Sequence, residues 1–238
     1  MPHSALGLLG FGFLLGLRHA LDVDHLAAVS TLVAQRRSVW SSSLVGALWG
    51  LGHTAALLAV ALVVIGLHAE VPPGLGRALE LAVAAMLIGL GSNLLWTVWR
   101  GGRVHAHQHE HGGGHEHVHL HVHAPADDGG PHHHRVRAAR RPFLVGLVHG
   151  LAGSAAVMLA VVATIPSPSL ALAYVASFGC GSLGGMVTMS ALVGMPLALA
   201  TERFARADLA VRVSAGVGSV AVGVLLAGEI AAEAGFVV

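Results

Sequence analysis

Residues Arg18 to His25 read RHALDVDH, which places five ionisable side chains within eight positions. Histidine and aspartate together are metal-ligand types, and imidazole favours nickel, copper, zinc and iron over magnesium or calcium. The flanks, LGLLGFGFLLGL before and LAAVSTLVA after, are apolar. Within a membrane a mid-helix charge costs ~2.5–3.5 kcal/mol, whereas a leucine returns only ~0.3–0.6. Arg18, Asp22 and Asp24 facing lipid would together cost roughly 8–10 kcal/mol. The cluster must therefore face protein or a wet cavity, with its charges paired or bound to an ion. In a regular helix His19, Asp22 and His25 follow one stripe and Asp24 falls off it. His19 and His25 would then stand ~9 Å apart along the axis, too far for one ion. Either the helix unwinds after Gly16, or part of the cluster binds while the remainder orients it, as carboxylates commonly do for ligating histidines.

Two further histidines lie in apolar segments. His53 in GLGHTAA is the candidate ligand from a second helix, with Gly50 and Gly52 allowing close approach. His149 in GLVHGLAGS is a candidate from a later one. Ser92 and Asn93 are expected to line the same cavity or to serve helix packing, and Glu80 and Glu229 read as interfacial residues near helix ends.

The elements holding these residues are membrane elements. The 238-residue chain is 55% hydrophobic and 11% charged, against roughly 25% charged residues in soluble proteins. Lysine is absent and the net charge is +1, which leaves no electrostatic footprint for nucleic acid. Cys180 is the single cysteine, so neither a disulfide framework nor a thiolate zinc cluster is available. No basic n-region or A-x-A cleavage site precedes the first apolar run, so no signal peptide is expected. Spans of ~20 apolar residues are predicted at 4–30, 44–67, 78–99, 142–164, 170–199 and 211–232, the first and fifth long enough to be tilted or broken. A polar insert, 100–141, separates units 1–99 and 142–238.

Arginines flank alternate loops: 36 and 37; 100, 103, 135, 137, 140 and 141; 203, 206 and 212. The positive-inside rule therefore predicts both termini outside and the insert in the cytoplasm. FLLGLRHAL (13–21) aligns with FLVGLVHGL (143–151) at six of nine positions, with His19 over His149, and WGLGH (49–53) aligns with FGCGS (178–182). With three helices per unit, the second copy enters from the opposite side. The fold expected is all-α and polytopic: six transmembrane helices as two inverted three-helix repeats, an arrangement common in secondary transporters with midplane sites.

Twelve of eighteen histidines fall between 105 and 134. His105, His107, His109, His111, His115, His117, His119, His121 and His123 form a compositional metal-binding tract, and HVHLHVH has the alternation of a short strand when loaded. Glycine-broken and polar, the insert cannot bury a core. It reads as a cytoplasmic metal buffer or sensor, losing its ions below about pH 6 as imidazole protonates. His3 invites an amino-terminal nickel site, but Pro2 lacks the amide N–H that the usual chelate uses.

RHALDVDHLAAV resembles the signature helix of the nickel/cobalt transporter family, H-x4-D-H, with His19 as first histidine, Asp24–His25 as the DH pair and Asp22 as the additional aspartate. LGHTAAL resembles the family's next motif, His53 matching its histidine. The chain starts directly on the signature helix, and GLVHGLAGS stands where typical members carry an acidic LGxDTATE motif. Both features resemble the shorter, urease-accessory or UreH-like branch. The resemblance implies nickel or cobalt transport across the bacterial cell membrane, with His19, Asp22, Asp24, His25, His53 and His149 as the candidate metal and substrate site.

The function expected is a permease, uptake favoured, with efflux as the alternative direction. No G-x-x-x-x-G-K-[ST] is present, so the energy would come from ion gradients, membrane potential or a further partner, and no cofactor beyond the transported Ni2+ or Co2+ is expected. Its partners are a divalent transition-metal ion and the lipid bilayer, with a metallochaperone at the loop and a homo-oligomer as further expectations. No enzymatic role is expected: an intramembrane hydrolase needs a general base and an open coordination position, and Asp24 as base stands without an H-E-x-x-H motif. A metal-storage accessory protein is the remaining alternative.

Overall fold

The computed structural model describes residues 2–36, 38–67, 72–100, 105–109, 117–121, 134–151, 161–162, 164–199 and 205–234. Its helices are α1 (Pro2–His19), α2 (Val23–Val33), α3 (Val39–Leu67), α4 (Pro73–Trp99), α5 (His134–Leu151), α6 (Pro168–Leu199) and α7 (Ala205–Glu233). Among the described residues four helices, α3, α4, α6 and α7, are long and apolar enough to cross a membrane. The α1–α2 pair, bent by 58°, makes a fifth span if it crosses as one. The chain thus has the build of a multi-pass membrane protein. The predicted span 142–164 is described as helix only to Leu151 and at 161–162, so its crossing lies largely outside the described residues.

The first span is broken, as its length allowed, although the break falls three residues beyond Gly16. The amides of Leu21 and Asp22 turn back onto the carbonyls of Arg18 (2.9 Å) and His19 (3.0 Å), a tight i→i+3 ending of the helix. Asp22 then adopts extended backbone (φ −63°, ψ 149°) as the N-cap of α2. A carboxylate there normally caps the new helix. This one makes no side-chain cap bond, because it turns back to the His19 ring instead.

In lipid, helices associate through close backbone approach and scattered polar contacts rather than through hydrophobic burial. Here glycines make that approach. A Cβ at Gly16 of α1 would collide with the Phe178 carbonyl of α6, and one at Gly181 of α6 with the Phe13 carbonyl of α1. The same exchange joins α3 and α5: Gly52 meets the Phe143 carbonyl, and Gly146 meets the Trp49 carbonyl. Hydroxyls add cross-links, Ser177 to the Leu9 carbonyl at 2.7 Å and Thr54 to that of Gly179 at 3.1 Å. α7 packs along α4, where Ser219 donates to the Leu87 carbonyl at 2.8 Å.

The insert is not wholly irregular. His105–His109 (β1) and His117–His121 (β2) pair antiparallel, His105 opposite His121, His107 opposite His119 and His109 opposite His117. Of the alternating HVHLHVH, residues 117–121 form a strand. His111, His115 and His123 lie outside the described residues, and of His3 only the backbone, within α1, is described. Outside the spans, burial together with the nearby Arg141 guanidinium pulls the pKa of Arg36 below its ordinary value.

Candidate metal centre

The break after His19 is what makes a centre. It folds the chain so that the His19 and His25 ring centroids lie 4.3 Å apart, well inside the ~9 Å axial separation of a regular helix. His25, in the first turn of α2, is 1% exposed. α3 supplies His53, fully buried, with its ring 5.3 Å from His25 and 5.4 Å from His19. The glycines of α5 explain that burial: Gly146 lies against the His53 amide and Gly150 against its carbonyl. Between those two glycines stands His149, 2% exposed, its ring 4.1 Å from that of His25. Trp49 and Phe178 wall the group, Trp49 5.3 Å from His25 and Phe178 5.5 Å from His19.

The two aspartates hold the rings. As acceptor-only groups when ionised, they fix which ring nitrogen carries the proton. The His19 Nδ1–H donates to Asp22 Oδ2 at 2.7 Å. The His25 Nδ1–H and backbone N–H donate to Asp24 Oδ1 at 3.1 and 3.0 Å. The other oxygen of Asp24 accepts from the His149 Nε2–H at 2.7 Å. One carboxylate thereby ties α2 to α5. The tautomers that result leave lone pairs on His19 Nε2, His25 Nε2 and His149 Nδ1. All three nitrogens, and both of His53, are buried without a hydrogen-bond partner in the structure.

Buried polar atoms left unpaired cost about 1–3 kcal/mol each, and a divalent ion is the ligand type that several inward-facing imidazoles satisfy together. The donor set fits. Ligand atoms of His19, His25 and His53 lie within 4.8 Å of one another, as do those of Asp24, His25 and His149. Nitrogens bound to one ion at ~2.0–2.1 Å stand roughly 3–4 Å apart, so the rings need only draw inward.

Of the six candidate residues, five fall into these two groups, which share His25. Asp22 stands outside both, with its side chain 52% exposed and its hydrogen bond made to His19. Ser92 and Asn93 are exposed on α4 and do not line the cavity beside the centre, a correction to the expectation above. Glu80 and Glu229, read from the sequence as interfacial, do line it. The sequence reading also missed the Trp49 wall. Its signal was present in the aligned aromatic-x-x-Gly steps, because Trp49 occupies the aromatic position of one of them.

No family model matches the chain, and no solved structure matches it. Among curated proteins, it is 30% identical to the urease accessory protein UreH of Bacillus sp. (strain TB-90) over 198 residues, covering 83% of this chain and 81% of that one. The buried histidines sit within a chain that belongs to the UreH family of urease accessory proteins.

Proposed function

We propose that the chain is a secondary transporter that moves Ni2+ or Co2+ across the bacterial inner membrane, in the direction of uptake, through the His19–His25–His53 centre. The observation that carries this reading is the set of buried, unpartnered ring nitrogens, those of His53 and of three rings held by carboxylates, inside a multi-pass helical protein. Imidazole-rich donors suit borderline metals such as nickel and cobalt rather than magnesium or calcium. A relative named as a urease accessory protein fits a role in nickel supply.

In this mechanism the ion exchanges part of its hydration water for the ring nitrogens of His19, His25 and His53, the water returning to solvent. Asp22 and Asp24 hold the rings and compensate the ion's charge, while His149 completes the shell or closes its far side. The exchanged glycine contacts, α1 with α6 and α3 with α5, join the aligned segments of the two halves. They support an architecture of two inverted three-helix units that rock about the centre, with the termini outside and the histidine-rich loop in the cytoplasm. There the loop receives ions and passes them to a metallochaperone.

Nickel flux into proteoliposomes tests the proposal. The intact chain is expected to carry Ni2+, and His25→Ala or His53→Ala to reduce flux at least tenfold, since each removes a ligand. Wild-type flux in both variants would refute the site. Absence of flux from the intact protein would refute transport.

A further inference from the structure

Beside the centre, between α2, α4 and α7, lies a cavity of about 400 Å³ lined by Val23, Asp24, Glu80 and Glu229, with Val83 and Leu226 among its apolar walls. Its inner boundary includes the carboxylate that holds His25 and His149. Two more carboxylates come from different helices. Glu80 is seven residues into α4 and Glu229 four residues from the end of α7, within about 10 Å of those helix ends at 1.5 Å per residue. A glutamate set against hydrocarbon is costly; here Glu80 is half-buried and Glu229 exposed, and both line this one cavity. At ~30 Å³ per water, its volume accommodates a small cation with its hydration shell.

We infer that this cavity is the ion's entry vestibule, in which Glu80 and Glu229 concentrate a hydrated divalent cation and deliver it to the Asp24-held histidines. The inference rests on the transport reading above and deepens it. The positive-inside pattern sets the α4 amino end and the α7 carboxyl end on the outer face, so the vestibule opens outward, as uptake requires. Carboxylates in a low-dielectric cleft raise local cation concentration, and such focusing changes capture rates by about 10–10³-fold. They act before the ion is dehydrated. Their loss should therefore weaken capture at low nickel without slowing passage at saturation.

The test uses the full chain in proteoliposomes, with initial Ni2+ uptake measured across nickel concentrations. Glu80→Gln combined with Glu229→Gln keeps size and removes charge. The KM is expected to rise about tenfold with Vmax within about twofold of wild type, and Glu80→Asp with Glu229→Asp should restore KM. Nickel affinity of the detergent-solubilised double glutamine variant should match wild type, because the histidines are untouched. An unchanged KM, or a fall in Vmax that the aspartate pair does not rescue, would overturn the vestibule. If the intact protein carries nickel and His25→Ala does not, that outcome leaves the transport reading standing. An intact protein that carries none overturns both.

Discussion

The two halves of the chain share a packing frame and differ in chemistry. Phe13-x-x-Gly16 and Phe178-x-x-Gly181 exchange glycine-to-carbonyl contacts, as do Trp49-x-x-Gly52 and Phe143-x-x-Gly146. Yet the first half brings three histidines and two aspartates to the centre, whereas the second brings His149. At the position aligned with His53, the second half has Ser182, fully buried with an unpartnered hydroxyl. The difference teaches that close helix approach demands only a missing side chain at fixed spacing, which both halves supply. A metal-ligand set demands particular donor atoms, and most of those in the candidate centre come from one half.

The largest effect expected in breaking this comparison comes from the frame. Gly52→Leu and Gly146→Leu each push a side chain into an opposing carbonyl, and overpacking of this kind costs 1–3 kcal/mol or more. Thermal unfolding in detergent should fall by roughly 2–12 °C, at ~2–4 °C per kcal/mol for a chain of this size. Gly7→Leu, with nothing within 4 Å of its Cβ position, should not change it. Similar losses at positions 52 and 146 would show that both halves carry this contact; a loss at one alone would show that only one half does.

Next comes the chemistry. Asp24→Asn removes the charge that orients one ring from each half, and losing such a supporting carboxylate weakens metal affinity by about 10–100-fold. Asp22→Asn touches His19 alone from a half-exposed position and should cost less, as isothermal titration with nickel can rank. An equal or reversed order would show that the two halves do not meet through Asp24. Deleting 103–134 should have the smallest effect, leaving saturating nickel flux largely intact while lowering the nickel retained per molecule. Abolished flux would place the insert within the translocation machinery.

Much of the centre was legible because charge in hydrocarbon is conspicuous: no composition argument leaves Arg18, Asp22 and Asp24 unexplained within an apolar run. His53 and His149 were legible as polar exceptions beside glycines. The position of the break was not, because Ala20 and Leu21 are ordinary helix formers. What ends α1 is the i→i+3 turn and the Asp22–His19 bond, and these form only in the folded chain. The pairing of Asp24 with His149 spans 125 residues and follows from how α2 meets α5, which periodicity does not encode. Glu80 and Glu229 look like ordinary helix-end acids until α4 and α7 are packed together.

The Asp24 carboxylate has one further implication. Its two oxygens clasp rings on helices far apart in the chain, so it behaves as a molecular rivet. Any excursion that parts α2 from α5 must unfasten the His149 ring from that oxygen and let it rotate. On the transport reading proposed above, opening the protein and loosening its grip on the cargo would therefore be a single event, and a tightly held ion would keep the two helices together until it departs.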